Sequence, residues 1–165
     1  MTFEVKEVSN IMDEMEYPGI RFTMNAIMGK LVTPMKIDIS TGDVITSRAI
    51  EYKYKLLLDD RSISLWSYNL ETILAEKLQT VLARGLLNTR MRDFYDIKTL
   101  LSIYEQDIDT DVLNKAFEAT CKKRSMENLK DVAHNIMAAV CDDAQLHTTL
   151  EVLSEEISVC GWYQL

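Results

Sequence analysis

The sequence predicts an α+β fold, in which a small antiparallel or mixed sheet is followed by a helical C-terminal half. Two patterns support this class. Before Tyr68, apolar and polar side chains alternate in short runs with the period of two that is typical of half-buried strands. After Tyr68, apolar residues recur at the spacing of amphipathic helices. We therefore expect an α+β region at 1–68 and a helical region at 69–165.

The first predicted element is a short helix at residues 3–16, because four apolar side chains fall on one helical stripe. These are Val5, Val8, Ile11 and Met12. The Pro18-Gly19 pair ends this helix. Four strands follow, separated by turns at Gly29, Gly42 and Asp59. Their predicted ranges are 20–26, 35–40, 51–56 and 63–68.

Five helices are predicted in the C-terminal half, at 70–84, 92–105, 110–123, 126–141 and 144–159. Asn69 is a suitable N-cap residue for the first of these helices, and Gly85 is suitable just past its end. Asp109 or Thr110 can cap the third.

Composition and charge exclude several classes of function. The 165 residues carry 18 Lys+Arg and 26 Asp+Glu, a net charge of −8, which argues against a protein that coats nucleic acid broadly but allows a local basic site. No apolar run approaches the roughly 18 residues of a transmembrane helix. The charged N-terminus has no apolar signal core, so a cytoplasmic location is expected. Glycine-rich phosphate loops and the G-x-S-x-G nucleophile motif do not occur.

The cysteines and histidines do not form a metal-binding pattern. Cys121, Cys141 and Cys160 include no C-x-x-C pair, which favours reduced and mostly buried thiols. His134 and His147 lack the spacing of zinc ligands, so solvent-facing or packed imidazoles are expected.

Asp38 breaks the pattern of the second predicted strand. Ile37 and Ile39 take the core face, so Asp38 points the other way, in a type of structure where carboxylates are disfavoured. A strand holds a carboxylate rigidly, which suits a metal ligand or a general base. The alternative is a solvated aspartate paired with Lys36.

Lys77 and Arg84 lie on one side of the first predicted helix of the C-terminal half, at the margin of its apolar arc. Two aligned cations at this position could hold phosphates. The alternative is a pair of long side chains that extend over apolar surface and keep their charges in water.

Asp93 projects into the middle of the apolar arc of the next predicted helix, and Asp96 lies at its edge. Burying an ionised carboxylate without a partner is costly, so neighbouring cations must satisfy it. A buried acid among basic residues is a candidate functional site, and the alternative is a structural ion pair that ties two helices together. The available cations are Lys77, Arg84, Arg90 and Arg92.

Several of these segments resemble the AbiEii/AbiGii toxin family, which consists of abortive-infection nucleotidyltransferases related to the DNA polymerase β superfamily. The segments are 36–43, 68–77, 84–85 and 88–96. The most specific blocks are E-T-I-L-A-E-K, which begins at Glu71, and N-T-R-M-R-D-F-Y-D, which begins at Asn88. The resemblance implies a partial nucleotidyltransferase-like sheet region ahead of the helices.

The resemblance also implies a type IV toxin of phage defence that transfers a nucleotide from a nucleoside triphosphate, with Mg²⁺, to an acceptor such as tRNA. An antitoxin encoded nearby is an implied partner, and a homo-oligomer stays open. Catalytic roles are implied for Asp38, which would bind the metal, for Lys77, which would meet the triphosphate, and for Asp93 of the helical motif. Substrate-binding roles are implied for Arg84, Arg90, Arg92 and Asp96.

The sequence departs from the family at its start. It contains neither the Gly-Ser turn that cradles the nucleotide nor the strand with paired D-x-D acids that follows it. Two interpretations stay open: a truncated nucleotidyltransferase, and an inactive family remnant that acts as a protein-binding or oligomerising module. A third interpretation is a nucleic-acid-binding module that uses the Lys122-Lys123-Arg124 run and the cluster of cations from Arg84 to Arg92. The Lys122-Lys123-Arg124 run is interpreted first as a helix end or a solvated face.

Overall fold

The computed structural model describes residues 1–11, 19–144 and 148. These residues form five β-strands and four α-helices, so the predicted α+β class is confirmed. The chain divides into two compact units, Met1–Asp43 and Val44–Leu165. The first unit is a three-stranded sheet, and the second contains a two-stranded sheet and the helices.

The first unit begins with β1 at Thr2–Ile11, so the predicted helix over the first part of 3–16 is wrong. The reason is a β-bulge between Val5 and Glu7. Val5 pairs with Met24, and Val8 pairs with Phe22, two residues away on the same strand. The bulge therefore brings Val5 and Val8 to one face despite their separation of three, which imitates a helical stripe. Residues 12–18, including Pro18, lie outside the described residues.

β2 spans Gly19–Met28 and β3 spans Leu31–Ile39, and the antiparallel order is β1-β2-β3. Met28 pairs with Leu31, so Gly29 and Lys30 make a two-residue turn. Gly29 has a φ of 60°, which suits glycine in such a turn. Because opposed residues share a face, the pairing produces one apolar face. Its central cross-strand rows are Val5–Met24–Met35 and Val8–Phe22–Ile37.

The second unit begins with a hairpin of β4, Ile50–Lys55, and β5, Ser62–Ser67. Tyr52 pairs with Leu65 and Tyr54 pairs with Ile63, which again gathers apolar side chains on one face. The four predicted strands are thus confirmed, although each of them begins one to four residues earlier than the alternation predicted.

Four helices follow: α1 at Leu70–Arg84, α2 at Met91–Tyr104, α3 at Thr110–Lys123 and α4 at Leu129–Asp142. The Asp109 carboxylate accepts the N–H groups of Asp111 and Val112, as expected for the cap of α3. Gly85, with a φ of 50°, ends α1 as predicted. The helix predicted at 144–159 falls almost entirely outside the described residues.

The core of the second unit surrounds α1. Leu74 and Ala75 are fully buried, and Val81 is 1% exposed. Near the C-terminal end of α1, Leu82 packs with Cys121 of α3 and Leu129 of α4. Helix α1 is therefore the element against which the other helices of this unit are arranged.

The thiols and imidazoles fit the expectations in part. Cys121 is buried, and burial raises the pKa of its thiol. Cys141 is exposed, contrary to the expectation of mostly buried cysteines. His134 is exposed on α4, whereas His147 and Cys160 lie outside the described residues. None of the helices in the described ranges is long and apolar enough to cross a bilayer.

Candidate functional site

The first turn of α1 is anchored by buried polar side chains. Glu71 is 8% exposed, and its carboxylate accepts hydrogen bonds from Asn69 Nδ2 at 2.6 Å and from the N–H of Asp109 at 3.1 Å. The Thr72 hydroxyl accepts the N–H of Thr46 at 3.1 Å and lies 2.6 Å from Asn69 Oδ1. These bonds connect α1 to the segment before β4 and to the start of α3.

Lys77 lies one turn further along α1 and reaches two carboxylates of α2. Its Nζ donates to Asp96 Oδ2 at 2.6 Å and approaches Asp93 Oδ1 at 3.4 Å. The Lys77 and Asp96 side chains are each 23% exposed, and that of Asp93 is 6% exposed. Charge-assisted bonds in such a shielded place are stronger than those on an open surface. The structure thus brings together three residues that the sequence analysis selected.

Arg90 completes the surroundings of Asp93. Its Nε lies 3.0 Å from Asp93 Oδ2, and its backbone oxygen accepts the N–H of Asp93 at 2.9 Å. The Arg90 side chain is 56% exposed, so its charge also faces solvent. We call the group of Lys77, Arg90, Asp93 and Asp96 the lysine–aspartate cluster.

Two further predicted residues, Arg84 and Arg92, are exposed at the end of α1 and the start of α2. Within the described ranges neither side chain has an ion-pair partner. The cluster contains two cations and two anions, and Arg84 and Arg92 are two further cations on the same two helices. Exposed cations of this kind favour the approach of a multiply charged anion.

Asp38 belongs to the first unit, where it has a partner that the sequence analysis did not consider. Arg21 stands directly opposite on β2 and binds the carboxylate with two nitrogens, each 2.7 Å from an oxygen. This bidentate hydrogen bonding holds the pKa of Asp38 below its usual value. The alternative of a solvated aspartate is supported, but its ion-pair partner is Arg21 and not Lys36.

The described residues do not fit a metal ion held by the protein. No group of three or more His, Cys, Asp or Glu residues among them is placed to hold one. Asp38, the predicted ligand, has both oxygens engaged by Arg21. Mg²⁺ therefore stays a prediction that the donor atoms of this structure do not support.

A second polar connection, which the sequence alone did not predict, joins α1 to the end of α3. Arg124 donates to Glu76 and Gln79 of α1, and to Thr80 Oγ1 at 3.1 Å. Its basic run was interpreted as a helix end or a solvated face. The sequence did contain an indication of this contact on α1. Its three polar partners there are spaced i, i+3 and i+4, so they lie on one face of the helix.

Asn88 was also not selected, although it opens the second family-like block. It is 2% exposed, and its Oδ1 accepts the N–H of Arg90 at 2.9 Å. Its Nδ2 is buried without a partner in the described part of the chain. An asparagine shortly before a helix is a capping signal that could have identified it.

The fold and the cluster define an α+β protein in which two helices bring a shielded lysine and two aspartates together beside exposed arginines. The family described as "Nucleotidyl transferase AbiEii toxin, Type IV TA system" matches residues 2–157. The chain belongs to this family of nucleotidyltransferase toxins. Neither the curated proteins nor the solved structures that were compared contain a match.

Proposed function

We propose that this chain transfers a nucleotide from a nucleoside triphosphate to an acceptor hydroxyl, with the lysine–aspartate cluster as its site. The observation that carries the proposal is the position of Lys77 between Asp93 and Asp96. The Lys77 ammonium group contacts both acids, so it can replace its contact with one of them by a contact with a phosphate oxygen. This exchange needs no large movement of the lysine side chain. Membership of the AbiEii family supports the same reaction class.

In the proposed reaction, the acceptor hydroxyl attacks the α-phosphorus of the triphosphate. A new P–O bond forms, the bond from the α-phosphorus to the pyrophosphate oxygen breaks, and pyrophosphate leaves. Asp93, the most buried carboxylate of the cluster, accepts the hydroxyl proton as the general base. Lys77 and the exposed arginines offset the charge on the phosphates. Mg²⁺ accompanies nucleoside triphosphates in solution, and its requirement by this chain stays a prediction.

The acceptor is proposed to be RNA, with tRNA as the first candidate. The net charge of −8 makes broad contact with a polyanion unfavourable. Contact would therefore be confined to the exposed arginines Arg84, Arg90 and Arg92. An antitoxin partner, a role in phage defence and a cytoplasmic location are further proposals that follow the family.

Label transfer tests the proposal. The purified chain is incubated with each α-labelled nucleoside triphosphate, total RNA and Mg²⁺, and labelled RNA is measured. Lys77→Ala and Asp93→Asn are expected to lose at least about 100-fold in rate. Lys98→Ala, a change of an exposed lysine on α2, is the control and keeps the activity. Absence of transfer with every triphosphate contradicts the proposal.

A second candidate function is an inactive family member that binds a protein or a second copy of itself. The apolar face of the three-stranded sheet favours it, because Val5, Val8 and Ile37 are 53%, 55% and 43% exposed. Sedimentation separates the candidates. A stable oligomer without transfer supports the module, whereas an active monomer excludes it.

A further inference from the structure

Two buried polar side-chain atoms in the described part of the chain lack a hydrogen-bond partner, one just before α2 and the other in its first turn. They are the amide Nδ2 of Asn88 and the carboxylate Oδ2 of Asp93. The two residues are 2% and 4% exposed. One atom is a donor and the other an acceptor, so each can supply what the other lacks.

Arg90 connects these two side chains. Its N–H donates to Asn88 Oδ1 at 2.9 Å, and its backbone oxygen accepts the N–H of Asp93, also at 2.9 Å. Both residues are therefore fixed to the backbone of Arg90, the residue immediately before α2. The guanidinium Nε of Arg90 lies 3.0 Å from Asp93 Oδ2 but does not make a hydrogen bond with it.

Asp93 is held weakly by its other neighbour. Lys77 makes its short contact, 2.6 Å, with Asp96, and lies 3.4 Å from Asp93 Oδ1. A triphosphate that attracts the Lys77 ammonium would lengthen this contact further. Asp93 would then keep its ion pair with Arg90 but no side-chain hydrogen bond, and a further donor would lower the cost of its burial.

We propose that Asn88 is a positioning residue for Asp93, an inference that rests on the proposed function of the cluster. When the triphosphate engages Lys77, Asn88 Nδ2 donates to Asp93 Oδ2 and keeps the carboxylate turned toward the acceptor hydroxyl. Asn88 Oδ1 keeps its bond to the N–H of Arg90, so the start of α2 does not move. The amide thus has two separate tasks, one for each of its polar atoms.

Two substitutions separate these tasks. Asn88→Ser and Asn88→Asp both keep an oxygen that can cap the N–H of Arg90, and the three residue types are similar as caps. Both remove the Nδ2 donor, and Asn88→Ser does so without a new charge. Thr89→Ala changes the exposed neighbour and is the matched control.

The proposal predicts that kcat falls about tenfold or more in both Asn88 variants, while KM for the triphosphate changes less than about twofold. The melting temperature of Asn88→Ser stays close to that of the unmodified chain, and Thr89→Ala changes neither quantity. Asn88→Asp melts at a lower temperature, because it places a new charge at a position that is 2% exposed. Unchanged kcat in Asn88→Ser overturns the proposal. A fall in the melting temperature of Asn88→Ser with unchanged kcat assigns Asn88 a capping role alone and overturns it as well.

A stability measurement keeps the inference separate from the proposed activity. Asn88→Ser and Asp93→Asn are combined in a double-mutant cycle, once with Lys77 present and once in a Lys77→Gln background. The proposal predicts that the coupling rises to about fivefold or more in the unfolding constant when Lys77 is replaced. Equal coupling in both backgrounds overturns it. If the chain is inactive but the coupling between Asn88 and Asp93 rises, the proposed function is rejected. The contact between Asn88 and Asp93 is then still supported.

Discussion

Lys77 Nζ lies 2.6 Å from Asp96 Oδ2, and this bond between the second turn of α1 and the second turn of α2 is the shortest contact within the lysine–aspartate cluster. It fixes the ammonium group beside the buried Asp93 while leaving that carboxylate at 3.4 Å. Asp96 therefore acts as the support of the lysine, and Asp93 keeps more freedom to react.

Replacing Asp96 by Asn tests this support. The amide keeps the shape but removes the charge, so we expect the free energy of unfolding to fall by about 1 kcal/mol, the range of a partly shielded charged hydrogen bond. Denaturant midpoints measure the change. Glu105→Gln, at an exposed acid after α2, is the control and is expected to stay within about 0.5 kcal/mol. Equal losses in both variants would contradict the pairing.

Arg124 is expected to stabilise the contact between α1 and α3. Arg124→Met removes the donor from Glu76, Gln79 and Thr80. We expect a loss of about 1–3 kcal/mol, because the Glu76 and Arg124 side chains are only 23% and 32% exposed. Lys122→Met, at an exposed position of the same basic run, serves as the matched control. A similar effect of both changes would show that the network contributes nothing specific.

The core around α1 makes a simpler prediction. Leu74 is fully buried, so Leu74→Ala should lower the free energy of unfolding by about 2–5 kcal/mol. Leu87, which is 87% exposed, provides the same substitution outside the core and should change it by less than about 0.5 kcal/mol. Thermal or urea unfolding compares the two, and a tolerated Leu74→Ala would refute this arrangement of the core.

The ion pair of Arg21 and Asp38 gives a pH dependence. Hydrogen bonding by Arg21 lowers the pKa of Asp38 in the folded state. The stabilisation is therefore present above the ordinary pKa of an aspartate and is lost as the pH falls through the lowered value. Carboxyl NMR should show the Asp38 midpoint below its usual value, and Arg21→Gln should raise it. An unchanged midpoint in this variant would remove the evidence for the pair.

The sequence predicted the α+β class and the helical half well, because long amphipathic helices carry a strong period. It mistook β1 for a helix, since the bulge at Lys6 converts a strand alternation into a separation of three. Asp93 was predicted because a carboxylate within the apolar arc of a helix can be recognised from the sequence of that helix alone. Arg21, Arg124 and Asn88 were missed because their roles depend on partners supplied by other elements or on burial.

The central claim is that the lysine–aspartate cluster binds the triphosphate, and calorimetric titration with nucleoside triphosphates tests it most directly. We expect Lys77→Ala to weaken binding about tenfold or more, because the ammonium would contact the phosphates. Lys98→Ala, at an exposed position of α2, should bind as the unmodified chain does. Equal affinity of the unmodified chain and Lys77→Ala would contradict the assignment of this site.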